Sequence, residues 1–459
     1  MKSKLSLPTT KKIFFLMLLF VYIYAPPFNF IPLGINKLIA PLAVVGLLFF
    51  HKSAIWKVLQ QKHLFIAIFL ITVSIIYSFI IDTSTTYAGD LAFTRKNTFS
   101  QTMILLEVLP ITLFLCIYGI RKLKLTLADF LSSLVTVAAV QSFLAIIMLL
   151  LPNFRTFVLT TILRYDPSED KLFRPDLYAF RSFGLSQDLL FSLSVVQGIA
   201  VGCVLSLCLY NFSKYKYSLL LIPPLLLSIA LNARIGFIGV IAFVVVTLIF
   251  AILKFRIYLL FKFILFALIS SLIIYISLNN LDLVFDTDIE KNIDWAYNAF
   301  VEGKNFVEGS KTDTGNFGTI TRRYWHLPDT TSARMFGEGR YLFDSIKSSI
   351  LSDIGYVRKI YFGGYIYSCL TYSAFIYLFI GSQKKQKQDA FKPLLYSLLL
   401  TALLAHLKGD LFLPIPGYRV IFVIFLFAIS ERRLAKPTMP QFNNRFIPWY
   451  PHETRNFKS

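Results

Sequence analysis

The run from Ile235 to Leu253 reads IGFIGVIAFVVVTLIFAIL and holds no charged residue. Its length is close to the ~20 apolar residues that a helix needs to cross a bilayer. Similar runs recur along the whole chain, in which 56% of the residues are hydrophobic and only 15% are charged. A soluble domain of this size does not hide that much apolar surface. The sequence therefore predicts an all-α polytopic membrane protein whose residues 1–459 form a single transmembrane domain.

Twelve membrane spans are predicted from these runs. Their centres lie near Leu18, Val44, Ile71, Ile111, Ala139, Ala200, Leu226, Val244, Ala267, Leu370, Leu399 and Ile424. The second, seventh and eleventh spans are short or interrupted by proline. Met1–Tyr24 has the basic start and apolar core of a signal peptide, but Ala25-Pro26-Pro27 is a poor cleavage site, so we interpret this segment as an uncleaved first span. The four cysteines lie within predicted spans, where packing is their simplest role.

The net charge of +21 is distributed unevenly along the chain. With the N-terminus placed inside and the loops sorted alternately, the inner segments hold 25 Lys and Arg against 4 acids, and the rest of the chain holds 21 of each. The inner segments are residues 1–12, 51–63, 121–129, 210–217, 254–262, 381–392 and 431–459. This asymmetry is the positive-inside pattern of membrane proteins and not a nucleic-acid-binding surface. It predicts that both termini lie inside, with residues 431–459 as a basic cytoplasmic tail.

One long polar segment, residues 279–358, interrupts the apolar runs and is predicted to form a large outer loop. It holds twelve acids and nine bases, and it is followed by another apolar span. Within it, Ser345–Val357 is predicted as a short helix that leads into the tenth span, and Phe285–Val307 as a second, amphipathic helix. Loops carry binding and chemistry more often than spans do, so function is expected at this face of the bundle.

Two arginines are candidates for binding an anionic group at the outer face. Arg234 lies in a tight turn between the seventh and eighth spans, where a charge so close to the hydrocarbon normally faces a cavity or a partner. Arg181 opens Arg181-Ser182-Phe183-Gly184-Leu185 at the outer mouth of the sixth span. An arginine fork suits phosphate oxygens and keeps its charge at any physiological pH. The alternative for both residues is an interfacial anchor that extends toward water.

The end of the large loop supplies further candidates. Gly337-Glu338-Gly339-Arg340 is typical of a turn that presents an arginine, and Ser352-Asp353-Ile354-Gly355-Tyr356 leads directly into the tenth span. Partial burial at the membrane surface can raise the pKa of Asp353 enough for it to serve as a base. The alternatives are a charge at a helix N-terminus or a salt bridge to Arg358.

Charged residues within or beside other spans are weaker candidates. Glu107 lies one turn inside the fourth span, where a carboxylate is either functional or paired with an arginine. His406, Lys408 and Asp410 cluster at the outer end of the eleventh span, and Arg419 follows them across a Pro-rich turn. These residues are predicted to face the same outer cavity. Asp286-Thr287-Asp288 has the spacing of a metal-binding pair, but two acids at that spacing are common in an acidic loop, so neither a metal nor a cofactor is expected.

The order of these features resembles the superfamily of O-antigen polymerases (Wzy-type) and O-antigen ligases (WaaL-type). The shared features are ten to fourteen spans, a large outer loop late in the chain, and an arginine turn two spans before that loop, here Asn232-Ala233-Arg234-Ile235-Gly236. The loop exit Ser352-Asp353-Ile354-Gly355-Tyr356, followed by Gly363-Gly364, is similar to the family's Asp-x-Gly-Tyr and Gly-x-x-Gly patterns. Arg181-Ser182-Phe183-Gly184-Leu185 also resembles a family element. This chain lacks the serine that usually precedes the arginine of the turn.

The resemblance implies a GT-C-like glycosyltransferase of the bacterial inner membrane, with its active site on the periplasmic face. The donor would be a growing glycan on undecaprenyl diphosphate, and the acceptor a fresh lipid-linked repeat unit. Asp353 and Arg234 would be catalytic, with Asp353 acting on the acceptor hydroxyl. Substrate binding would involve Arg181, Arg340, Glu338, Tyr356, Arg419 and Glu107. A flippase and a chain-length regulator are the expected protein partners.

Two other functions stay open at this point. Ligases of the family usually carry a histidine at the loop exit, where this chain has Asp353, so polymerase is favoured over O-antigen ligase. A flippase for the same lipid-linked sugars would need polar residues through the depth of the bundle and usually an internal repeat. Here the polar residues concentrate at the outer face.

Overall fold

The computed structural model describes residues 10–31, 34–84, 98–164, 182–187, 191–233, 235–253, 325–339, 352, 354–386 and 388–434. Across these ranges the regular structure is helical, and the β contacts are limited to an isolated bridge between Phe28 and Leu163. The main helices in chain order are α1 (Thr10–Tyr24), α2 (Ile35–Leu59), α3 (Lys62–Ser84), α4 (Thr98–Arg121), α5 (Leu127–Leu150), α6 (Pro152–Phe157), α7 (Phe191–Tyr210), α8 (Phe212–Asn232), α9 (Gly236–Leu253), α10 (Thr331–Phe336), α11 (Gly355–Lys385), α12 (Lys392–Ala405) and α13 (Pro416–Leu434).

Eight of the helices in the described ranges are long and apolar enough to cross a membrane. They are α2, α3, α4, α5, α7, α8, α9 and α11. Large apolar side chains stand exposed on the outer helices, such as Phe49 and Phe50 on α2, each 78% exposed, and Phe65 on α3. Such surface is expected where lipid, rather than water, surrounds a helix. For this part of the chain, the prediction of an all-helical protein is confirmed, and eight of its helices are able to span a membrane.

The predicted span positions agree with the helices wherever the chain is described. Eleven of the twelve predicted centres lie inside a helix, and the remaining one, Ala267, lies outside the described residues. The irregular spans are also where they were expected. α2 contains Pro41 and a kink at His51, α8 reaches its regular part at Ile222 through a 3-10 turn before Pro223 and Pro224, and α12 has 14 residues. The number twelve stays a prediction.

Two helices form the centre of the bundle. α7 is buried from Ser192 to Leu207, and α13 is buried from Pro416 to Ser430. A helix that is apolar on all sides belongs inside a bundle, surrounded by others. α7 packs against α5, α8 and α9, and α13 packs against α4 and α11. The central helices therefore connect the first and the second half of the chain.

The bundle has two distinct ends. At one, α3 begins and α11 and α13 end, and His63, Gly381 and Ile429 come together. We call this the basic end, because α11 and α13 finish there in Lys384-Lys385 and Arg432-Arg433. At the other, α3 ends and α11 and α13 begin. We call it the loop end, because the polar segment 279–358 leads into α11 there. The helix predicted at Phe285–Val307 lies outside the described residues, as do residues 345–351 and 353 of the helix predicted at Ser345–Val357. Within the latter, Ser352 and Ile354 are not helical, and α11 begins only at Gly355.

Candidate functional site

The predicted site residues divide into two groups. Arg181, Arg234, Arg340 and Asp353 lie outside the described residues. Glu107, Glu338, Tyr356 and Arg419 lie within them, and all four are at the loop end of the bundle. For the first group, the structure describes neighbours in the chain, such as Ser182, Gly236, Gly339 and Ile354.

Glu107 and Arg419 contact each other directly. Arg419 Nη2 donates to Glu107 Oε1 at 2.9 Å, and its Nη1 lies 3.4 Å from the carbonyl oxygens of Tyr22 and of Ile23. Glu107 lies in a π-helical turn of α4, Ile104–Val108, and the two side chains are only 7% and 6% exposed. The arginine thus joins α1, α4 and α13. This contact agrees with the alternative in which Glu107 pairs with an arginine, while a role of either residue in substrate binding stays a prediction.

A second buried cluster contains a residue that the sequence reasoning missed, Lys359. Its Nζ lies 3.3 Å from Asp410 Oδ2, and both side chains are 1% exposed. His406 Nδ1 is 3.6 Å from Asp410 Oδ1. Burial acts to raise the pKa of Asp410, but the positive charges of Lys359 and Arg358 outweigh it and hold this pKa below its ordinary value. The sequence does indicate a role for Lys359, because a lysine one turn into an apolar span needs a partner of opposite charge.

His406 is held by hydrogen bonds on both sides of its ring. The Leu411 amide donates to Nδ1 at 3.3 Å, so Nδ1 is an acceptor and the ring proton belongs on Nε2, which lies 2.9 Å from Tyr372 Oη. The His406 carbonyl accepts from the Gly355 amide at 2.9 Å, which fixes the first residue of α11. An added Cβ at Gly355 would collide with the imidazole ring. The predicted cluster at the end of the eleventh span therefore supports the exit of the large loop.

Tyr356 is also engaged at this exit. Its hydroxyl donates to the Leu403 carbonyl at 2.8 Å, and its ring meets the His406 ring edge to face, with centroids 4.6 Å apart. One residue before α11, Ile354 is fully buried. Asp353 is thus bracketed by Ser352 and Ile354, both buried at the loop end.

The segment that leads to Arg340 is anchored on α11. The Glu338 amide donates to the Tyr361 carbonyl at 2.8 Å, and the Gly339 amide donates to the Phe362 carbonyl at 3.0 Å. These contacts lie directly before a kink of α11 at Gly364, where φ is +66°. A Cβ at Gly364 would collide with the Met335 carbonyl oxygen, so the two backbones approach too closely for any other residue. The glycine pattern after the loop is explained by this contact.

The turn that contains Arg234 packs against the start of α7. Gly236, at the first position of α9, lies so close to Ser194 and Gly198 of α7 that a Cβ on Gly236 or on Gly198 would collide with the facing backbone. On the other side of the turn, Asn232 is 1% exposed, and its Nδ2 donates to the Ser228 carbonyl at 2.7 Å. Two residues that flank position 234 in the chain, Asn232 and Gly236, are therefore fixed in the interior.

The residues that follow Arg181 are anchored in the same region. Gln141 of α5 donates to the Phe183 carbonyl at 2.6 Å and accepts from the Leu185 amide at 3.2 Å. The Gln187 amide donates to the Tyr24 carbonyl at the end of α1 at 2.8 Å. Ser182, next to Arg181, is fully buried. This segment enters α7 at Phe191.

The start of α7 connects the arginine turn with the loop that carries Asp410. Ser192 Oγ accepts from the Gly417 amide at 2.7 Å, and the Phe191 ring packs on Gly409. Two residues further along α7, Ser194 contacts Gly236. The first two turns of α7 are therefore shared by both halves of the site.

The described part of the site combines buried cations and acids without a metal-binding group. Within the described ranges, no set of three His, Cys, Asp or Glu side chains is close enough to hold a metal ion. Arginine and lysine can stabilise negative charge on phosphate oxygens without a metal. Comparison of the chain with models of known families, with curated proteins and with solved structures found no match.

Proposed function

We propose that this protein is a membrane glycosyltransferase that polymerises undecaprenyl-diphosphate-linked oligosaccharide repeat units into an O-antigen or capsule-type polysaccharide. The growing glycan leaves its lipid carrier and is transferred to a new lipid-linked repeat unit. The reaction takes place at the loop end of the bundle.

One observation carries the proposal: the described neighbours of all four key residues converge at this end. Ser182 follows Arg181, Gly236 closes the Arg234 turn, Gly339 precedes Arg340, and Ile354 follows Asp353. Segments that are far apart in the sequence are joined there by hydrogen bonds to α1, α5 and α11 and by close backbone packing on α7. A constellation assembled from several anchored segments is what a catalytic site requires.

Two buried ion pairs, Arg419 with Glu107 and Lys359 with Asp410, fix the helices around this site. Arg419 and Lys359 are buried against Glu107 and Asp410, and a buried cation is stable only with such a partner. These pairs hold α1, α4, α11 and the loop after α12 in fixed positions. The binding of diphosphate is then the task of Arg181, Arg234 and Arg340, whose planar forks match its oxygens.

The transfer step follows from these assignments. Asp353 accepts the proton of the acceptor hydroxyl as its oxygen attacks the anomeric carbon of the donor glycan. The bond between this carbon and the diphosphate oxygen breaks, and its electron pair leaves with undecaprenyl diphosphate. Arg234 and Arg181 stabilise the negative charge that develops on the leaving group. Glu338 and Tyr356 contribute to the sugar side of the site.

A histidine does come to the loop exit in space, which is relevant to the ligase alternative. His406 touches Gly355 through its ring, but the ring is fully buried and both of its nitrogens are engaged by Leu411 and Tyr372. Such a histidine suits a supporting role better than that of a base exposed to substrate. We therefore favour the polymerase.

The test is complementation of a strain that lacks the gene, with surface glycan resolved on gels. Arg234→Ala and Asp353→Ala should each abolish the ladder of chain lengths and leave single-repeat glycans, while immunoblots show normal amounts of inserted protein. Arg121→Ala and Asp389→Ala are matched controls, because both residues are exposed at the basic end. A full ladder from both loop-end variants contradicts the site assignment. Long chains that are not attached to the outer lipid core in the deletion strain indicate a ligase, and repeat units trapped on the inner face indicate a flippase.

A further inference from the structure

The basic end contains a cleft whose described lining is entirely cationic. Lys385 at the end of α11 and Arg432 and Arg433 at the end of α13 line a space of about 350 Å³. Lys62 and Lys384 lie nearby, around His63 at the start of α3. Cations are common at this end, so their presence alone does not identify a binding site.

The acids of this end are committed elsewhere. Asp129 accepts from Thr126 and pairs with Lys214 at 3.4 Å, and Asp389 pairs with Lys392 at 3.0 Å. Glu431 is the neighbour of Arg432 in the chain, but its Oε1 accepts from the Leu127 amide at 2.9 Å. Among the described residues, none of these acids forms an ion pair with Lys385, Arg432 or Arg433.

The C-terminal ends of α11 and α13 offset only part of the positive charge of the cleft. The carbonyl ends of α11 and α13 each supply roughly half a negative charge to nearby cations. Two helix ends therefore provide about one negative charge against three positive side chains. The remaining charge favours an external anion.

We infer that the cleft formed by Lys385, Arg432 and Arg433 binds a phosphate group. Two arginine forks and an ammonium group suit its oxygens, and basic pockets between helices at the inner surface are typical sites for lipid headgroups. The phosphate can belong to an anionic phospholipid or be free in solution. This inference does not depend on the proposed function, because the cleft lies at the opposite end from Arg234 and Asp353.

The test is native mass spectrometry of the full-length protein after exchange into neutral detergent. The probes are phosphatidylglycerol, phosphatidylcholine and inorganic phosphate, titrated separately. Arg432→Gln/Arg433→Gln should bind phosphatidylglycerol about thirtyfold more weakly, at roughly fivefold for each cation. The matched control is Arg121→Gln/Lys122→Gln, a pair of adjacent exposed cations at the end of α4. Lys385→Gln is a second variant, with one cation removed from the other helix, and should weaken binding about fivefold.

The outcomes separate the sources and decide the inference. If the cleft variants lose binding of phosphatidylglycerol but not of phosphatidylcholine, and inorganic phosphate does not compete, the cleft binds a lipid headgroup. Binding of inorganic phosphate that is lost in the same variants assigns it to a free phosphate. If the cleft variants and the control variant lose binding affinity to the same extent, the inference is overturned, because the loss then reflects a diffuse effect of surface charge. Unchanged binding in Lys385→Gln and in the double cleft variant overturns it as well.

Discussion

At the loop end, Lys359 and Asp410 form a pair 3.3 Å apart in which each side chain is 1% exposed. At the basic end, Lys392 and Asp389 form a pair 3.0 Å apart in which the side chains are 34% and 51% exposed. The distances are similar, but the surroundings differ. In the buried pair neither charge has water as an alternative partner, whereas in the exposed pair both have it.

Other charges at the two ends differ in the same way. The described loop-end charges Glu107, Lys359, Asp410 and Arg419 are buried and hold helices together. At the basic end Arg432 and Arg433 stand exposed, in a region where acids are few. We conclude that the loop end is fixed by its charges, as a catalytic site requires, whereas the basic end keeps its cations available for external anions.

The largest expected effect on stability comes from breaking the buried pair. Lys359→Met leaves Asp410 buried without its cation and should destabilise the protein by about 3–5 kcal/mol. The measurement is the temperature at which the detergent-solubilised protein loses its monomeric peak in size-exclusion chromatography. Lys359→Met/Asp410→Leu should recover most of this loss, because it removes both charges together. A single variant as stable as the wild type would show that the pair is not buried as described.

The anchoring of the large loop provides the next test. Gly364→Ala should cost about 2–3 kcal/mol, because the new Cβ is strained at positive φ and also collides with the Met335 carbonyl. Gly34→Ala is the matched control, since Gly34 has a φ of +79° but open space around its Cβ position. The same thermal assay should show a clearly smaller loss for this variant. Equal losses would mean that the contact between the loop and α11 contributes nothing.

The smallest effect is expected at the basic end. Lys392→Met removes one partner of the exposed pair with Asp389 and should change stability by at most about 1 kcal/mol. In the same assay, a loss as large as that of Lys359→Met would erase the distinction between the two ends.

Much of the fold was predictable from the sequence, because a membrane span is recognised by the length of an apolar run without charged residues. The centres of eleven predicted spans lie within helices, and the irregular spans coincide with Pro41 in α2 and with Pro223 and Pro224 in α8. The kink at Gly364 was not predicted, because it depends on the approach of another segment, Met335–Gly339, from outside the helix.

The candidate site was predictable in its residue types but not in its pairing. The sequence indicated Glu107, Asp410 and Arg419 as charges near apolar spans, whereas the contacts of Arg419 with Glu107 and of Lys359 with Asp410 depend on tertiary packing. Residues 312 positions apart come together only when α4 and α13 cross. The position of a charged residue in a single sequence does not identify its ion-pair partner.

If the loop end transfers glycan, purified protein should extend a lipid-linked repeat unit in a way that depends on Arg234. Wild-type protein in lipid nanodiscs would be given a synthetic undecaprenyl-diphosphate-linked repeat unit, and the product lengths followed with time by mass spectrometry. We predict that the wild type and the basic-end variant Arg121→Ala extend the repeat at similar rates. Arg234→Ala should be at least about a hundredfold slower, the effect of losing one group that stabilises developing charge. Extension by Arg234→Ala at the wild-type rate would contradict this account.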